Sequence, residues 1–303
     1  MKNIIQPWIQ AARLRTLPLS ISGILVGSAY AYYQHTFEWI IFVLALCTTL
    51  SFQILSNFAN DYGDGIKGTD ANRIGEKRLV ASGEITSAQM KMAIIINSVI
   101  AFVLAVALIY FAFGQENFVY SITFLVLGIA SIAAAIKYTV GNNAYGYSGF
   151  GDVFVFIFFG LVAVIGSNFL YSKDIDIKLF LPATAIGMLS TAVLNLNNMR
   201  DIENDRIANK NTLVVKFGLK FGLWYQRILV FMPIVLYILF LYNFKNGTPG
   251  FSFLFLYLAI SHNKTITKIV EKNSPNEFDP LLKTVALTTV LFAILVSLKI
   301  ITS

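Results

Sequence analysis

The chain has 303 residues, of which 56% are hydrophobic and only 13% are charged, and its mean hydropathy is +0.69. Soluble domains carry about 25% charged residues, so this composition excludes a water-soluble globule and indicates a polytopic membrane protein. The net charge of +7 could suggest a nucleic-acid partner. The positive residues fall in alternate loops between apolar segments, however, and we therefore expect membrane lipids and no nucleic acid as partners.

Nine apolar segments approach the length needed to cross a hydrocarbon core of about 30 Å as helices. In chain order they cover residues 17–33, 37–58, 90–113, 118–136, 153–171, 179–196, 223–242, 251–261 (extended by a few residues on either side) and 285–301. Backbone polar groups in lipid must be satisfied within each span, which favours helices. The sequence thus predicts an all-α bundle of about nine transmembrane helices forming one domain, residues 1–303. The single cysteine, Cys47, allows neither an internal disulfide nor a Cys-based metal site.

Nine spans place the two chain termini on opposite sides of the membrane. Of the 23 Lys and Arg residues, 19 then lie on the side of the N-terminus, and only Lys173, Lys178, Lys245 and Lys299 lie on the other. Because cytoplasmic loops carry an excess of Lys and Arg, we expect a cytoplasmic N-terminus. The 16 acidic residues divide 12 to 4 in the same direction. Orientation does not require this bias, so another function gathers carboxylates on that face.

The first polar cluster begins where the second span ends. It contains Asn57, Asn60, Asp61, Asp64 and Asp70. If the helix continues by one turn, the first four of these side chains project from one face, because they are three and four residues apart. Hard oxygen ligands favour Mg²⁺ or Ca²⁺ over softer metals. The pattern therefore predicts a cation site at the membrane surface.

The second polar cluster lies at the end of the sixth span. Asn198, Asp201 and Asp205 are again three and four residues apart, which predicts one helical face, and Asn197 and Lys210 are close in sequence. Mg²⁺ usually shares its coordination between a few carboxylates and substrate phosphates. Two such faces opposed across a bundle could hold two metal ions with a diphosphate between them.

Basic residues are interleaved with both clusters. They are Lys67, Arg73, Lys77 and Arg78 after the first cluster, and Arg200, Arg206 and Lys210 around the second. Arg binds phosphate oxygens with two donors and Lys binds them as a point charge, which suits a diphosphate leaving group. A polar helix end can also be only a solvated cap. Lysines such as Lys264, Lys268 and Lys272 are better explained by topology or by contacts with lipid headgroups.

At these residues the chain resembles the UbiA superfamily of intramembrane prenyltransferases. The paired motifs of that superfamily run Asn-Asp-x-x-Asp-x-x-x-Asp and Asp-x-x-Asp-x-x-x-Asp. The matching residues here are Asn60, Asp61 and Asp64 in the first motif, and Asp201 and Asp205 in the second. Gly68 stands in place of the last Asp of the first motif, and Asn198 in place of the first Asp of the second.

At both of these positions the sequence resembles the branch of the superfamily that prenylates 1,4-dihydroxy-2-naphthoate. The resemblance to that branch extends over A-R-L-R-T-L-P at 12–18, N-D-Y-G-D-G-I-K-G-T-D at 60–70, G-Y-S-G-F-G-D at 146–152 and N-N-M-R-D-I-E-N-D at 197–205. It implies a Mg²⁺-dependent transfer of a polyprenyl group from polyprenyl diphosphate to 1,4-dihydroxy-2-naphthoate. Diphosphate and CO₂ would be lost, giving demethylmenaquinone for menaquinone biosynthesis in a bacterial inner membrane.

The resemblance also implies roles for individual residues. The catalytic carboxylates would be Asp61, Asp64, Asp201 and Asp205, and the metal shell would add Asn57, Asn60 and Asn198. The implied substrate contacts are Asn57, Asn60, Lys67, Asp70, Arg73, Arg78, Lys137, Tyr138, Tyr147, Asn197, Asn198, Arg200 and Lys210.

Alternative functions remain open at this level. Within the superfamily the acceptor could be 4-hydroxybenzoate, homogentisate, a porphyrin or a glycerol phosphate lipid. A cation transporter could also use membrane carboxylates, but transporters usually place ionisable residues near the bilayer midplane, whereas both clusters here lie at helix ends. The sequence predicts neither prenyl chain length nor oligomeric state.

Overall fold

The computed structural model describes residues 5–68, 77–114, 117–141, 144–243 and 250–303, and the regular elements in these ranges are all helical. The α-helices are α1 Ile5–Ala12, α2 Leu17–Tyr33, α3 Trp39–Lys67, α4 Ser87–Phe113, α5 Phe118–Lys137, α6 Gly151–Val155, α7 Ser167–Ser172, α8 Phe180–Arg200, α9 Ile202–Ile207, α10 Leu213–Phe217, α11 Leu219–Leu241, α12 Gly250–Lys272 and α13 Phe278–Ile301. A π-helical segment, Phe156–Gly166, joins α6 to α7. The predicted all-α class is confirmed.

Seven helices within the described ranges are long and apolar enough to cross a membrane. They are α3, α4, α5, the continuous helix Gly151–Ser172, the helix Ile177–Arg200, α11 and α13. The other two predicted spans also coincide with helices. However, α2 has only 17 residues, and the C-terminal half of α12 is polar. The prediction of about nine spans is therefore approximate, because length and composition single out seven.

The chain forms two compact units, each built from separated stretches of sequence. The first unit contains residues 1–17, 39–151 and 203–212, and the second contains residues 18–38, 152–202 and 213–303. The core of the first unit includes Leu55, Ala59, Leu79 and Met90, all nearly inaccessible to solvent. The prediction of a single domain over residues 1–303 remains a prediction.

The core of the second unit is formed largely by α8, α11 and α13. Helix α8 also packs closely against the π-helical segment at two glycines. A Cβ atom on Gly160 would lie 2.6 Å from the carbonyl oxygen of Ala183, and one on Gly187 would lie 2.8 Å from that of Phe156. Small residues at such crossings let helix backbones approach closely inside a membrane. This packing fixes α8, whose end carries the second polar cluster.

Candidate active site

The first polar cluster lies on the last turns of α3, which continues as a helix to Lys67. The expected extension of the second span is therefore present. Asp61 is fully buried and Asp64 is 4% exposed. Buried carboxylates require hydrogen bonds or positive partners, and the structure provides both.

Asp61 is held by the segment that precedes α4. Its Oδ2 accepts a hydrogen bond from the backbone N–H of Leu79, and its Oδ1 accepts one from that of Val80, both at 3.1 Å. Gly65 lies one helical turn further along α3, where a Cβ atom would lie 2.7 Å from Val80 Cγ1. Asp61 therefore anchors this segment against α3 and keeps the neighbouring Arg78 beside the cluster.

Asp64 makes polar contacts with two side chains from distant parts of the sequence. The hydroxyl of Tyr147 donates a hydrogen bond of 2.8 Å to Asp64 Oδ1. The guanidinium of Arg78, itself only 8% exposed, lies 3.9 Å from Asp64 Oδ2. The carboxylate is thus positioned by a neutral donor and a cation.

Lys67 closes the first cluster on the same helix. Its ammonium donates a 2.8 Å hydrogen bond to the carbonyl oxygen of Thr139 and lies 4.0 Å from the centre of the Tyr147 ring, which is a cation–π geometry. The Thr139 hydroxyl donates to the carbonyl oxygen of Ala59 at 2.9 Å and to Asn60 Oδ1 at 3.2 Å. Thr139 is therefore a supporting residue that the sequence patterns did not indicate.

The end of the second acidic segment belongs to the first unit. Lys210 forms an ion pair of 3.4 Å with Asp205, and its ammonium lies 5.8 Å from the centre of the Tyr147 ring. The backbone N–H of Asn211 donates to the carbonyl oxygen of Tyr147 at 2.9 Å. Tyr147 thus connects residues from both polar segments within one unit.

Asn57 makes hydrogen bonds to protein groups, and its role as a metal ligand remains a prediction. Its amide nitrogen donates to the carbonyl oxygen of Ala12 at 2.8 Å and to Thr16 Oγ1 at 3.1 Å, and its oxygen accepts from Gln53 at 3.3 Å. These contacts join the turn between α1 and α2 to α3. Asn57 stabilises the entrance to the first span in this geometry.

The second cluster does not lie on one continuous helical face, which corrects the prediction. Helix α8 ends at Arg200, Asp201 has φ −94° and ψ 10°, and α9 begins at Ile202. Asn198 and Asp201 are buried in the second unit. Backbone geometry rather than sequence spacing therefore decides the orientation of Asp205.

Arg200 is predicted as a substrate contact, whereas the structure surrounds it with protein acceptors. Its guanidinium donates twice to Asp201, at 2.7 and 2.9 Å, to Asn197 at 2.7 Å and to Asp279 at 2.5 Å. The Arg200 side chain is fully buried. Its geometry suits holding Asp201 in place. Asp279, at the start of α13, is a partner that sequence spacing could not reveal.

The remaining predicted residues are Lys137, Tyr138, Asp70 and Arg73. Lys137 is exposed at the end of α5, and among the described residues it makes no ion pair with the cluster. Tyr138 packs edge-to-face against Tyr145 at 5.3 Å, and its carbonyl oxygen accepts from Gly146. Asp70 and Arg73 lie outside the described residues.

Oxygen donors suited to a hard cation occur in both units. In the described part of the chain, however, no three His, Cys, Asp or Glu side chains converge closely enough to hold a metal ion. The carboxylates of Asp64 and Asp205 are beside Arg78 and Lys210 instead. These carboxylates suit Mg²⁺ chemically. For them to bind the metal, Arg78 and Lys210 must pair with an anionic ligand instead.

These features define a class of protein. A helical membrane protein that buries carboxylates beside Lys, Arg and Tyr side chains has groups suited to bind a metal ion and a phosphate.

The chain belongs to the UbiA prenyltransferase family, because the sequence model of that family matches residues 20–296. It is 42% identical over 294 residues to the 1,4-dihydroxy-2-naphthoate octaprenyltransferase of Escherichia coli, covering 95% of this chain and 94% of the relative. It is 39% identical to the enzyme of the same name from Haemophilus influenzae, covering 97% and 95%. The predicted family is confirmed.

Solved structures share the fold. A UbiA homologue from Archaeoglobus fulgidus bound to DMAPP and Mg²⁺ superposes with a TM-score of 0.70 at 14% identity, covering 97% of this chain and 99% of the homologue. The apo UbiA homologue from Aeropyrum pernix K1 gives a TM-score of 0.67 at 16% identity, covering 94% and 99%.

Proposed function

We propose that this chain transfers a polyprenyl group from polyprenyl diphosphate to 1,4-dihydroxy-2-naphthoate. The C1–O bond of the prenyl donor breaks and diphosphate leaves with the electron pair. The π electrons of the ring carbon that bears the carboxylate form the new bond to C1. The bond from this carbon to the carboxylate then breaks, which releases CO₂ and returns its electron pair to the ring. No oxidant takes part, so the immediate product is the hydroquinone form of demethylmenaquinone.

One observation in the structure carries this proposal. Tyr147 joins Asp64 and Lys67 of the first polar segment to Lys210 of the second, within a single unit. A site that alternates carboxylates with cations can bind a metal through the former and a diphosphate through the latter. The choice of acceptor rests on the relatives of 42% and 39% identity that are named for 1,4-dihydroxy-2-naphthoate.

We propose Asp61, Asp64 and Asp205 of the first unit as catalytic carboxylates that hold Mg²⁺, with Asn60 next to Asp61 in sequence. The family resemblance extends the same proposed roles to Asp201 and Asn198, which belong to the second unit. Bound Mg²⁺ would neutralise charge that develops on the departing diphosphate. Lys67, Arg78 and Lys210 are proposed to donate hydrogen bonds to the diphosphate oxygens. Once they have bound the diphosphate, these donors would stabilise transition-state charge without further reorganisation during the reaction.

When the ligand binds, the charged side chains of the site would exchange their ionic partners. In the structure, Arg78 and Lys210 neutralise Asp64 and Asp205. A buried charge that loses its partner is costly, so each ion pair can separate only when both members gain a new one. The protein would therefore bind metal and diphosphate together more readily than either alone.

Within the second unit, Arg200 is proposed to orient Asp201. Arg200 joins this carboxylate to Asn197 and to Asp279 of α13. A fixed guanidinium also limits how much negative charge Asp201 presents. We propose that Arg200 is a positioning residue and that Asp201 is the group that contacts the metal.

We also propose that the protein resides in a bacterial inner membrane with its N-terminus and polar clusters on the cytoplasmic side. The excess of Lys and Arg in the corresponding loops supports this orientation. The long prenyl tail can then remain in lipid while its diphosphate reaches the cluster. Exclusion of water by the apolar surroundings protects an allylic cation from hydrolysis.

The experiment is a prenyl-transfer assay with purified protein in vesicles. A labelled prenyl diphosphate is supplied with 1,4-dihydroxy-2-naphthoate, 4-hydroxybenzoate or homogentisate, and the products are identified by mass. We expect a product from the naphthoate alone, which disappears with EDTA and returns with added Mg²⁺.

A pair of variants tests the site. Asp64→Asn should lower the rate by at least about 100-fold, as expected when a group stabilising the transition state is lost. Asp174→Asn changes an exposed carboxylate between α7 and α8 and should leave the rate unchanged. Equal activity of the two variants, or product from another acceptor only, would refute the proposal.

A further inference from the structure

A cationic surface lies in the second unit where α11 begins and α12 ends. It consists of Lys220, Arg227, Lys264, Lys268 and Lys272, all of which are exposed. The residues on α11 are seven apart and those on α12 are four apart, so each set follows one helical face. Arg227 joins the two faces, because it donates to Asn263 at 2.8 Å and to Thr267 at 3.3 Å on α12.

The exposed charges of this surface are predominantly positive. In the described part of the chain, none of these five cations forms an ion pair with a carboxylate. Glu271 is exposed on α12 between two of the lysines but does not pair with them. The five cations repel one another, and Glu271 offsets only one of their charges. An external anion bound to this surface would reduce the repulsion.

The position of the surface identifies the kind of anion. Helix α11 is one of the seven candidate membrane spans and begins at Leu219. Trp224 lies between Lys220 and Arg227 in sequence and is 56% exposed. Exposed Trp beside Lys and Arg at the end of a span is typical of the layer of lipid headgroups. The anion that is abundant in this layer is an acidic phospholipid.

We propose that the cationic surface binds the headgroups of anionic phospholipids such as phosphatidylglycerol. The two hydrogen bonds from Arg227 to α12 orient its guanidinium, and the flexible lysines extend towards phosphate oxygens. The surface is formed by α11 and α12 and does not include the proposed catalytic residues. This lipid contact is separate from the prenyl-transfer reaction and does not depend on it.

Trp224 provides a local reporter for a direct test. The chain has three Trp residues, so a Trp8→Phe, Trp39→Phe variant retains Trp224 alone. Its fluorescence is measured in phosphatidylcholine vesicles that contain either brominated phosphatidylglycerol or brominated phosphatidylcholine at equal mole fraction. We expect about twofold more quenching by the anionic lipid at low salt, and a loss of this preference at high salt because screening weakens exposed charges.

Charge variants of the reporter protein are made in matched sets. Lys264→Gln, Lys268→Gln and Lys272→Gln together should abolish the preference, and Glu271→Gln should increase it. Lys173→Gln, Lys178→Gln and Lys299→Gln remove the same charge from sites predicted to lie on the opposite side and should leave it unchanged.

Three outcomes would overturn the proposal. They are equal quenching by both lipids at low salt, a preference that persists at high salt, and a preference that inorganic diphosphate removes when sulfate of the same ionic strength does not. The last result would assign the surface to soluble phosphates. The comparison of quenching at low and high salt uses the reporter protein with all its charges. It therefore tests the proposal even if the triple Lys variant fails to fold.

Discussion

Tyr147 brings the charged groups of the first unit together through three kinds of contact. Its hydroxyl donates to Asp64, its ring lies against the ammonium of Lys67, and its carbonyl oxygen accepts from Asn211. Hydrogen bonds to a charged group contribute about 1.5–3 kcal/mol. Loss of the hydroxyl alone should therefore alter the site without removing the ring.

Tyr147→Phe is predicted to lower kcat/KM for the prenyl diphosphate by about 10- to 100-fold, since each 1.36 kcal/mol corresponds to tenfold. The control is Tyr145→Phe. Burial raises the pKa of Tyr145, whose neutral hydroxyl donates to the carbonyl oxygen of Ala134 at 2.9 Å. Steady-state kinetics of both variants measure the difference, and equal losses would show that the hydroxyl of Tyr147 has no special role.

Asp61 has a structural task as well as its proposed catalytic one. Asp61→Ala would leave the buried N–H group of Leu79 and the partly buried N–H group of Val80 without their acceptor. Each unsatisfied donor costs about 1–3 kcal/mol, so the thermal midpoint in detergent should fall together with activity. Asp201→Ala is expected to abolish activity too. An Asp61→Ala protein with an unchanged midpoint would show that these hydrogen bonds do not stabilise the fold.

At the scale of helices, α3 and the segment after α5 approach too closely for any side chain larger than Gly at position 63. A Cβ atom there would lie 2.6 Å from Thr139 Oγ1 and 2.8 Å from the Thr139 carbonyl carbon. Backbone atoms cannot move away as a flexible side chain can. Gly63 therefore fixes the distance between Thr139 and the first polar cluster.

Gly63→Ala is predicted to destabilise the protein by about 1–3 kcal/mol, as overpacking does, and to reduce prenyl transfer. Gly128→Ala is a matched control in the interior of α5, where a Cβ atom would lie 3.7 Å from Ala105. That change should be neutral or stabilising by up to about 1 kcal/mol. Thermal unfolding separates the two, and similar midpoints would contradict the close approach.

Three helices of the second unit are joined by a directed chain of hydrogen bonds. The amide nitrogen of Asn195 on α8 donates to the carbonyl oxygen of Gly222 at 2.9 Å and to Gln226 Oε1 at 2.8 Å. Gln226 must then donate from Nε2 to His262 Nε2, 3.2 Å away on α12. The carbonyl of Gly222 thus sets the direction of all these hydrogen bonds. Because Nε2 of His262 accepts from Gln226, the proton of the neutral imidazole lies on Nδ1.

His262→Phe should leave Gln226 Nε2 without an acceptor and cost about 1–3 kcal/mol. His262→Gln can place a carbonyl oxygen near the original Nε2 position and should retain most of the stability. Unfolding midpoints compare the two variants. If phenylalanine is tolerated as well as glutamine, the hydrogen-bond direction inferred here is wrong.

At the scale of the whole molecule, the two compact units are assembled from alternating stretches of the chain. The boundary at residues 202 and 203 falls inside the second acidic segment, where α8 ends and α9 begins. The chain therefore contributes Asp201 to one unit and Asp205 to the other. Each unit depends on segments that are remote in sequence.

The orientation in the membrane gives a prediction for the whole chain. Cys47 is the single cysteine, so Cys47→Ser provides a background for new cysteines at Lys178 and Lys272. A membrane-impermeant maleimide added to intact cells should label Lys178→Cys, and it should label Lys272→Cys only after permeabilisation, because the basic loops are expected in the cytoplasm. The reverse pattern would invert the topology.

The sequence by itself determined the class of fold and the family. Every predicted span coincides with a helix, because apolar segments in lipid must satisfy their own backbone hydrogen bonds. The spacing around Asp61 also gave the correct helical extension of α3, since local backbone preferences and helical periodicity depend on neighbouring residues.

Only the tertiary structure decided what each carboxylate contacts. Asp64 meets Tyr147 across 83 positions, and Arg200 meets Asp279 across 79. The break at Asp201 likewise removed the continuous face that spacing predicted. Hydrogen-bond partners over such separations depend on how helices pack, and no periodic pattern in one segment carries that information.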